Sequence, residues 1–186
     1  GFKGNEVMLL SSKKLNVALA TTHISLKDVP GNISQKSLCN TISTLHSELK
    51  KKFKITCPKI TVTGLNPHSG EDGEFGNEEI RTIRPAIEKM QRLGISLNGP
   101  IPADTAFTPK IMRNTDCYLT MYHDQGLGPF KALTFGKGVN VTLGLPIIRT
   151  SVDHGTGLDI AGSNKVDPSS FFESIKLAIS LAKNQY

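Results

Sequence analysis

The chain has 186 residues, 38% hydrophobic and 20% charged, the make-up of an ordinary soluble globular domain with room for a core. No apolar run approaches the ~20 residues that span a bilayer, and Gly1 to Glu6 lacks the apolar stretch of a signal peptide, so neither a membrane nor a secretory leader is expected. The net charge of +6 is dispersed; its densest cluster, Lys50-Lys51-Lys52 with Lys54, reads as a solvated helix end that suits the dipole, so an anionic small substrate is expected and nucleic acid is not.

In chain order, Leu15 to Ala20 reads as a strand. Ser34 caps a helix whose apolar stripe is Leu38, Ile42, Leu45 and Leu49, with His46 beside the stripe as a structural or exposed residue. Lys59 to Thr63 alternates like a strand. Asn77 starts a helix carrying Ile80, Ile83, Ile87 and Met90 and stopping near Gly94; Pro85 kinks it or divides it in two. A short helix over Lys110 to Asn114 precedes a strand at Cys117 to Met121, and Gly138 to Leu143 has β-branched strand character. Asp167 caps a C-terminal helix with Pro168 in its first position and Phe171, Phe172, Ile175, Ala178, Ile179 and Ala182 along one face. Strands alternating with helices predict an α/β fold. Cys39, Cys57 and Cys117 are odd in number and form no C-x-x-C pair, which suits free thiols in a reducing, cytoplasmic setting. The chain does not begin with methionine and reads as a fragment.

Three histidines stand at the tips of three motifs: His23 in Ala20-Thr21-Thr22-His23, His68 in Gly64-Leu65-Asn66-Pro67-His68-Ser69-Gly70-Glu71, and His123 in Tyr122-His123-Asp124-Gln125-Gly126. Each follows a predicted strand, so each imidazole is expected at the C-terminal edge of the sheet, where open α/β folds bind ligands. Three neutral imidazoles meeting at one point make a catalytic metal site with a position left for substrate. Residue types alone leave this open. A lone histidine is more often a surface or core side chain, and separations of 45 and 55 residues carry no metal-site spacing. Lys131, Asn140 and Arg149 suit a small phosphorylated or carboxylated substrate, Arg by a two-pronged grip and Lys as a point charge, although each alone is equally an ordinary surface group. The run Asp153-His154-Gly155-Thr156-Gly157-Leu158-Asp159-Ile160-Ala161-Gly162 is glycine-rich, but no G-x-G-x-x-G fingerprint occurs, so a Rossmann fold is not expected.

The run from His154 to Pro168 resembles the cofactor loop of the isocitrate and isopropylmalate dehydrogenase superfamily. Together, the motifs at Thr21 to His23, Gly64 to Glu71, Ala103-Asp104-Thr105, Tyr122 to Leu127 and Gly144 to Gly162 resemble the 4-hydroxythreonine-4-phosphate dehydrogenase (PdxA) family over nearly the whole chain. The resemblance implies a three-layer α/β/α fold with the N-terminal part of the family fold missing. Residues 1–158 would form an α/β domain with the metal and substrate residues and the dimer interface, and residues 159–186 a segment whose helix packs on the absent domain. It implies that His23, His68 and His123 bind zinc, magnesium or cobalt, that Lys131, Asn140 and Arg149 bind substrate, and that His154, Gly155, Thr156 and Asp159 bind NAD or NADP. Asp104 and Asp124 would orient metal-bound histidines. The site would lie at a homodimer interface, with histidines from both subunits.

The implied reaction is oxidation of 4-phosphooxy-L-threonine to 2-amino-3-oxo-4-phosphooxybutanoate and decarboxylation to 3-amino-2-oxopropyl phosphate, in pyridoxal 5'-phosphate (vitamin B6) biosynthesis. Ser69 and Gly157 stand where the family pattern has alanine, both small-for-small changes. The alternatives are a paralogue that oxidises threonate or erythronate 4-phosphate, a metal-dependent hydrolase that leaves the His154 to Gly162 loop without a role, and an inactive fragment.

Overall fold

The computed structural model describes residues 6–134, 136–155, 162 and 167–184 of the chain. Among these, strands β1 (Val7–Ser11), β2 (Asn16–Leu19), β3 (Lys59–Thr63), β4 (Ser96–Ile101), β5 (Cys117–Thr120), β6 (Val139–Leu143) and β7 (Arg149–Val152) form one sheet in the order β4-β3-β5-β2-β1-β6-β7. β2, β5, β3 and β4 run parallel; β1 is antiparallel to both β2 and β6, and β7 is antiparallel to β6. The helices are α1 (Val29–Asn32), α2 (Gln35–Lys51), α3 (Arg84–Arg92), α4 (Ala103–Ala106), α5 (Pro109–Met112), α6 (His123–Thr134) and α7 (Ser169–Lys183).

Strand alternation builds three layers. Leu9, Ala18, Ile60, Val62, Cys117 and Leu119 face the stripes of α2 (Leu38, Ile42, Leu45, Leu49) and α3 (Ala86, Ile87, Met90). Leu10, Val17, Leu19 and Tyr118 face the other way, onto Leu127 and Phe130 of α6 and Ala106 of α4. Each buried Val, Leu, Ile, Met or Phe among these contributes about 1.5–3 kcal/mol, so both sheet faces are committed. The architecture is the expected α/β/α sandwich. Ser34 caps α2 as expected, its hydroxyl accepting from the Ser37 amide while the Ser37 hydroxyl accepts from the Ser34 amide.

Several elements differ from the sequence reading. The helix predicted from Asn77 is in two pieces: a π-turn, Glu79–Ile83, runs into α3, and the Arg84 amide reaches back to the Glu79 carbonyl. Pro85 next in line has no N–H to donate. The wider turn rotates Ile80 off the buried stripe, leaving it 42% exposed. Lys52, expected on a solvated helix end, is 3% exposed; its ammonium lies 2.6 Å from the Glu48 carboxylate and donates to the Leu145 carbonyl at 3.3 Å. The end of α2 is thus docked on the β6–β7 connection.

Pro168, expected in the first helical position, is instead the residue that caps α7, one place later than the Asp167 cap read from the sequence; the Asp167 carboxylate accepts from the Ser169 amide at 2.9 Å and hydroxyl at 2.6 Å. The helix sits on β7 and β6 through buried Ser170, Ser174 and Leu181; the Thr150 hydroxyl donates to the Ser174 carbonyl. Phe171, Phe172, Ile175 and Ile179 are 56%, 55%, 40% and 52% exposed, so the apolar face read from the sequence points away from this core.

Candidate functional site

β3, β5 and β2 are sheet neighbours running in one direction, so their C-terminal ends lie side by side. His68, His123 and His23 follow those three ends. The tie between the β2 and β5 ends continues past the strands, since the Thr21 amide and hydroxyl both donate to the Met121 carbonyl, at 3.2 and 2.7 Å. This brings the His23 and His123 rings to 5.4 Å between centroids. Gln125, one turn into α6, joins the third strand: its carboxamide oxygen accepts from the Thr63 hydroxyl and the Met121 amide, and its nitrogen donates to the Gly64 carbonyl. Gly126 allows the seat, because a Cβ there would lie 2.5 Å from the Thr120 hydroxyl and 2.7 Å from Val17.

His68 sits in an unusual turn. His68, Ser69, Gly70, Glu71 and Asp72 all have positive φ, between 41° and 83°, a left-handed turn in which four residues carry a Cβ. Left-handed backbone costs roughly 1–2 kcal/mol for each such residue, so the surroundings must hold it.

The Nδ1 of His68 lies 2.9 Å from a Glu71 carboxylate oxygen, and the Nδ1 of His123 lies 2.7 Å from Asp124. The bond from Glu71, then its charge, raises the pKa of His68, and Asp104 adds in the same direction. A carboxylate on Nδ1 leaves Nε2 as the donor atom, the arrangement that orients histidine ligands of zinc-like cations. The donor chemistry therefore fits a borderline divalent metal. Among the described residues no three His, Cys, Asp or Glu side chains of a single chain are gathered as for one ion.

The other candidate residues lie elsewhere on the sheet. Asn140 pairs with Ser151 near the opposite edge of the β6–β7 ladder, and its buried side-chain oxygen has no partner. The Lys131 ammonium donates to the Asp153 carbonyl at 3.2 Å, just past the end of β7 at that same edge. Arg149 opens β7 at the histidine edge, four strands from β5 in the sheet order, and donates to the Thr142 hydroxyl at 2.8 Å. His154 Nδ1 lies 2.8 Å from the Gly155 carbonyl. Thr156 and Asp159, the remaining cofactor candidates, are outside the described residues, as is Gly157. Sequence reasoning assigned no role to Glu71, Glu79 or Gln125. Glu71 and Gln125 lie within quoted motifs and Glu79 in the first turn of the helix predicted from Asn77, but only the fold shows what each side chain touches.

A mixed α/β sheet with imidazoles on the C-terminal ends of three neighbouring strands is the frame of a small-molecule site at a sheet edge. The chain belongs to the family described as pyridoxal phosphate biosynthetic protein PdxA, whose profile matches residues 2–178. It is 53% identical over 178 residues to the 4-hydroxythreonine-4-phosphate dehydrogenase of Yersinia enterocolitica, covering 96% of this chain and 54% of that protein. Its fold is similar to the crystal structure of 4-hydroxythreonine-4-phosphate dehydrogenase from Klebsiella pneumoniae (TM-score 0.87, 42% identity, 96% of this chain and 54% of that one). It is similar also to a terephthalate 1,2-cis-dihydrodiol dehydrogenase from Burkholderia xenovorans (TM-score 0.77, 29% identity, 95% and 56%). The chain spans about half the length of the curated relatives it matches.

Proposed function

We propose that the protein to which this chain belongs is an NAD- or NADP-dependent, divalent-metal-dependent dehydrogenase of 4-phosphooxy-L-threonine, acting in the cytoplasm in pyridoxal 5'-phosphate biosynthesis. The observation that carries this reading is the set of imidazoles on adjacent strand ends, two of them braced by a carboxylate at Nδ1, in a chain 53% identical to an enzyme of that name. His23, His68 and His123 are the ligands of zinc, magnesium or cobalt. A cation held there would acidify the C3 hydroxyl of the substrate, and a nicotinamide would supply the hydride acceptor. Asp124 and Glu71 keep the His123 and His68 rings in the tautomer that presents Nε2. Lys131 and Arg149 hold phosphate or carboxylate, with the unpartnered Asn140 oxygen as a further polar contact. The stretch containing His154, Gly155, Thr156 and Asp159 takes the cofactor. The oxidised product is a β-keto acid, which loses CO₂ to give 3-amino-2-oxopropyl phosphate.

Four positions at one sheet edge, His23, His68, His123 and Arg149, and two at the other, Lys131 and Asn140, favour a site completed between two copies, with the histidine edge of one subunit facing the Lys131 region of its partner. Residues 1–158 form the domain with this site. Residues 159–186 belong to a segment whose exposed face, Phe171, Phe172, Ile175 and Ile179, is covered by a further domain of the whole protein. The likeness to a dehydrogenase named for another hydroxylated substrate leaves a second reading, a paralogue of different substrate, for which threonate or erythronate 4-phosphate are the candidates.

The test is reduction of NAD⁺ or NADP⁺ by the whole protein with 4-phosphooxy-L-threonine. Turnover is expected with added Zn²⁺, Mg²⁺ or Co²⁺, and at least a hundredfold loss in excess chelator. Undiminished turnover without metal contradicts the proposal. A kcat/KM higher for threonate 4-phosphate than for 4-phosphooxy-L-threonine moves it to the paralogue.

A further inference from the structure

Glu79 is 1% exposed, and among the described residues no cation pairs with it. A buried carboxylate without a counter-charge is costly unless N–H donors surround it. Here they do. One oxygen accepts from the Leu65 amide at 2.7 Å and the Asn66 amide at 2.8 Å, and the other from the Asn66 side-chain nitrogen at 2.9 Å. All three donors belong to the two residues before Pro67-His68, where the chain leaves β3 and enters the left-handed turn.

Two glycines shape the cradle. A Cβ on Gly64 would come within 3.0 Å of one Glu79 oxygen, and a Cβ on Gly70, itself at φ +83°, within 2.7 Å of the other. Gly70 is in the turn, so the carboxylate touches the loop on both sides of His68. Glu79 also opens the π-turn before α3, and insertions of this kind re-aim single side chains and recur at functional sites. In a regular α-helix the following register would be shifted by one residue. Together these place a buried carboxylate acceptor against both the entry and the interior of the left-handed turn, whose ends are also tied by the Ser69 amide to the Asn66 carbonyl, the Glu74 amide to the Glu71 carbonyl and the Phe75 amide to the Gly70 carbonyl.

We infer that Glu79 is a positioning residue for His68: its buried carboxylate fixes the entry to the left-handed turn and so holds the imidazole ready for a divalent metal. The inference rests on the reading of His68 as a metal ligand. Without Glu79 the turn populates other conformations. A site competent for only a fraction of the time binds more weakly by that fraction.

The test uses the whole protein, stripped of metal and titrated with Co²⁺, with the cobalt visible spectrum as readout at a temperature where each variant is fully folded. Amide hydrogen exchange of the metal-free protein is followed alongside. Glu79→Ala, which removes all three acceptor contacts, is expected to weaken Co²⁺ binding by about tenfold or more. It should also speed exchange at Leu65 and Asn66 while leaving β5 protected. Glu79→Gln keeps one oxygen for both backbone amides and should recover most of the affinity, to within about threefold of the unaltered protein. His68→Ala should lose the tight site and one nitrogen ligand from the spectrum. Wild-type Co²⁺ affinity in Glu79→Ala, beside a loss in His68→Ala, overturns the inference and leaves the metal reading intact. Wild-type affinity in His68→Ala overturns both. Should Glu79→Ala not fold, Glu79→Asp decides, because the shorter side chain cannot reach all three donors: affinity and exchange both unchanged from the unaltered protein overturn the role.

Discussion

At the scale of single residues, the buried polar groups say most. His46 on α2 is partly buried, its Nδ1 has no partner, and burial followed by the Lys50 charge lowers its pKa from the ordinary 6.5. A lowered value means that the unfolded chain takes up the proton first. The neutral ring therefore contributes stability that is complete above 6.5 and is lost as pH falls through its folded value. Asp167 and Glu173 are also lowered, by the Ser169 hydroxyl and the Lys176 ammonium, but they titrate from 3.8 and 4.5, so their share is lost at lower pH. Urea midpoints should thus decline as pH falls below 6.5, and His46→Gln should flatten that part of the profile while leaving the more acidic limb in place. A slope identical in the variant would show that His46 takes no part.

At the scale of elements, α7 separates packing from surface. Leu181 is 1% exposed in the main core, whereas Phe171 on the outward side is 56% exposed. Leu181→Ala should cost about 2–5 kcal/mol, as buried leucine truncations do. Phe171→Ser should change stability by no more than about 0.5 kcal/mol and reduce self-association of the chain. Comparable losses in thermal unfolding of the two variants would mean that the helix is docked differently.

The same scale shows what the sequence reveals and what it conceals. α2, β3 and the start of α7 to within one residue are legible because a stripe of Leu38, Ile42, Leu45 and Leu49, an alternating Lys59–Thr63 and a carboxylate before Pro168 are local patterns. β4 is concealed by Gly99 and Pro100 within an edge strand, and β7 by Thr150 and Ser151, polar residues that an edge tolerates. α6 contains Gly126, Gly128 and Pro129, which break the helical pattern. Yet Gly126 is what lets the helix meet β2 and β5 closely. At the site, the histidine positions are readable from motifs. The bracing by Glu79 and Gln125 is not, because it depends on tertiary contacts between the β3 end and residues 14 and 62 positions further on.

For the whole molecule, the proposed function requires a site shared between subunits. Within one chain, His23 and His123 lie at one edge, while Lys131 and Asn140 lie at the other. An isologous dimer, in which each surface meets its own copy, brings opposite parts of two chains together twice. The exposed apolar face of α7 is a separate surface, assigned above to the rest of the protein.

The measurement that tests this most directly is turnover of 4-phosphooxy-L-threonine by a mixture of two whole-protein variants, His23→Ala and Lys131→Ala, each inactive alone, after subunit exchange. In a shared site, one of the two sites in each mixed dimer regains both residues. Random exchange should therefore restore about a quarter of the unaltered activity. No recovery, with mixed dimers demonstrated by mass, would place His23 and Lys131 in the same subunit's site and contradict the account.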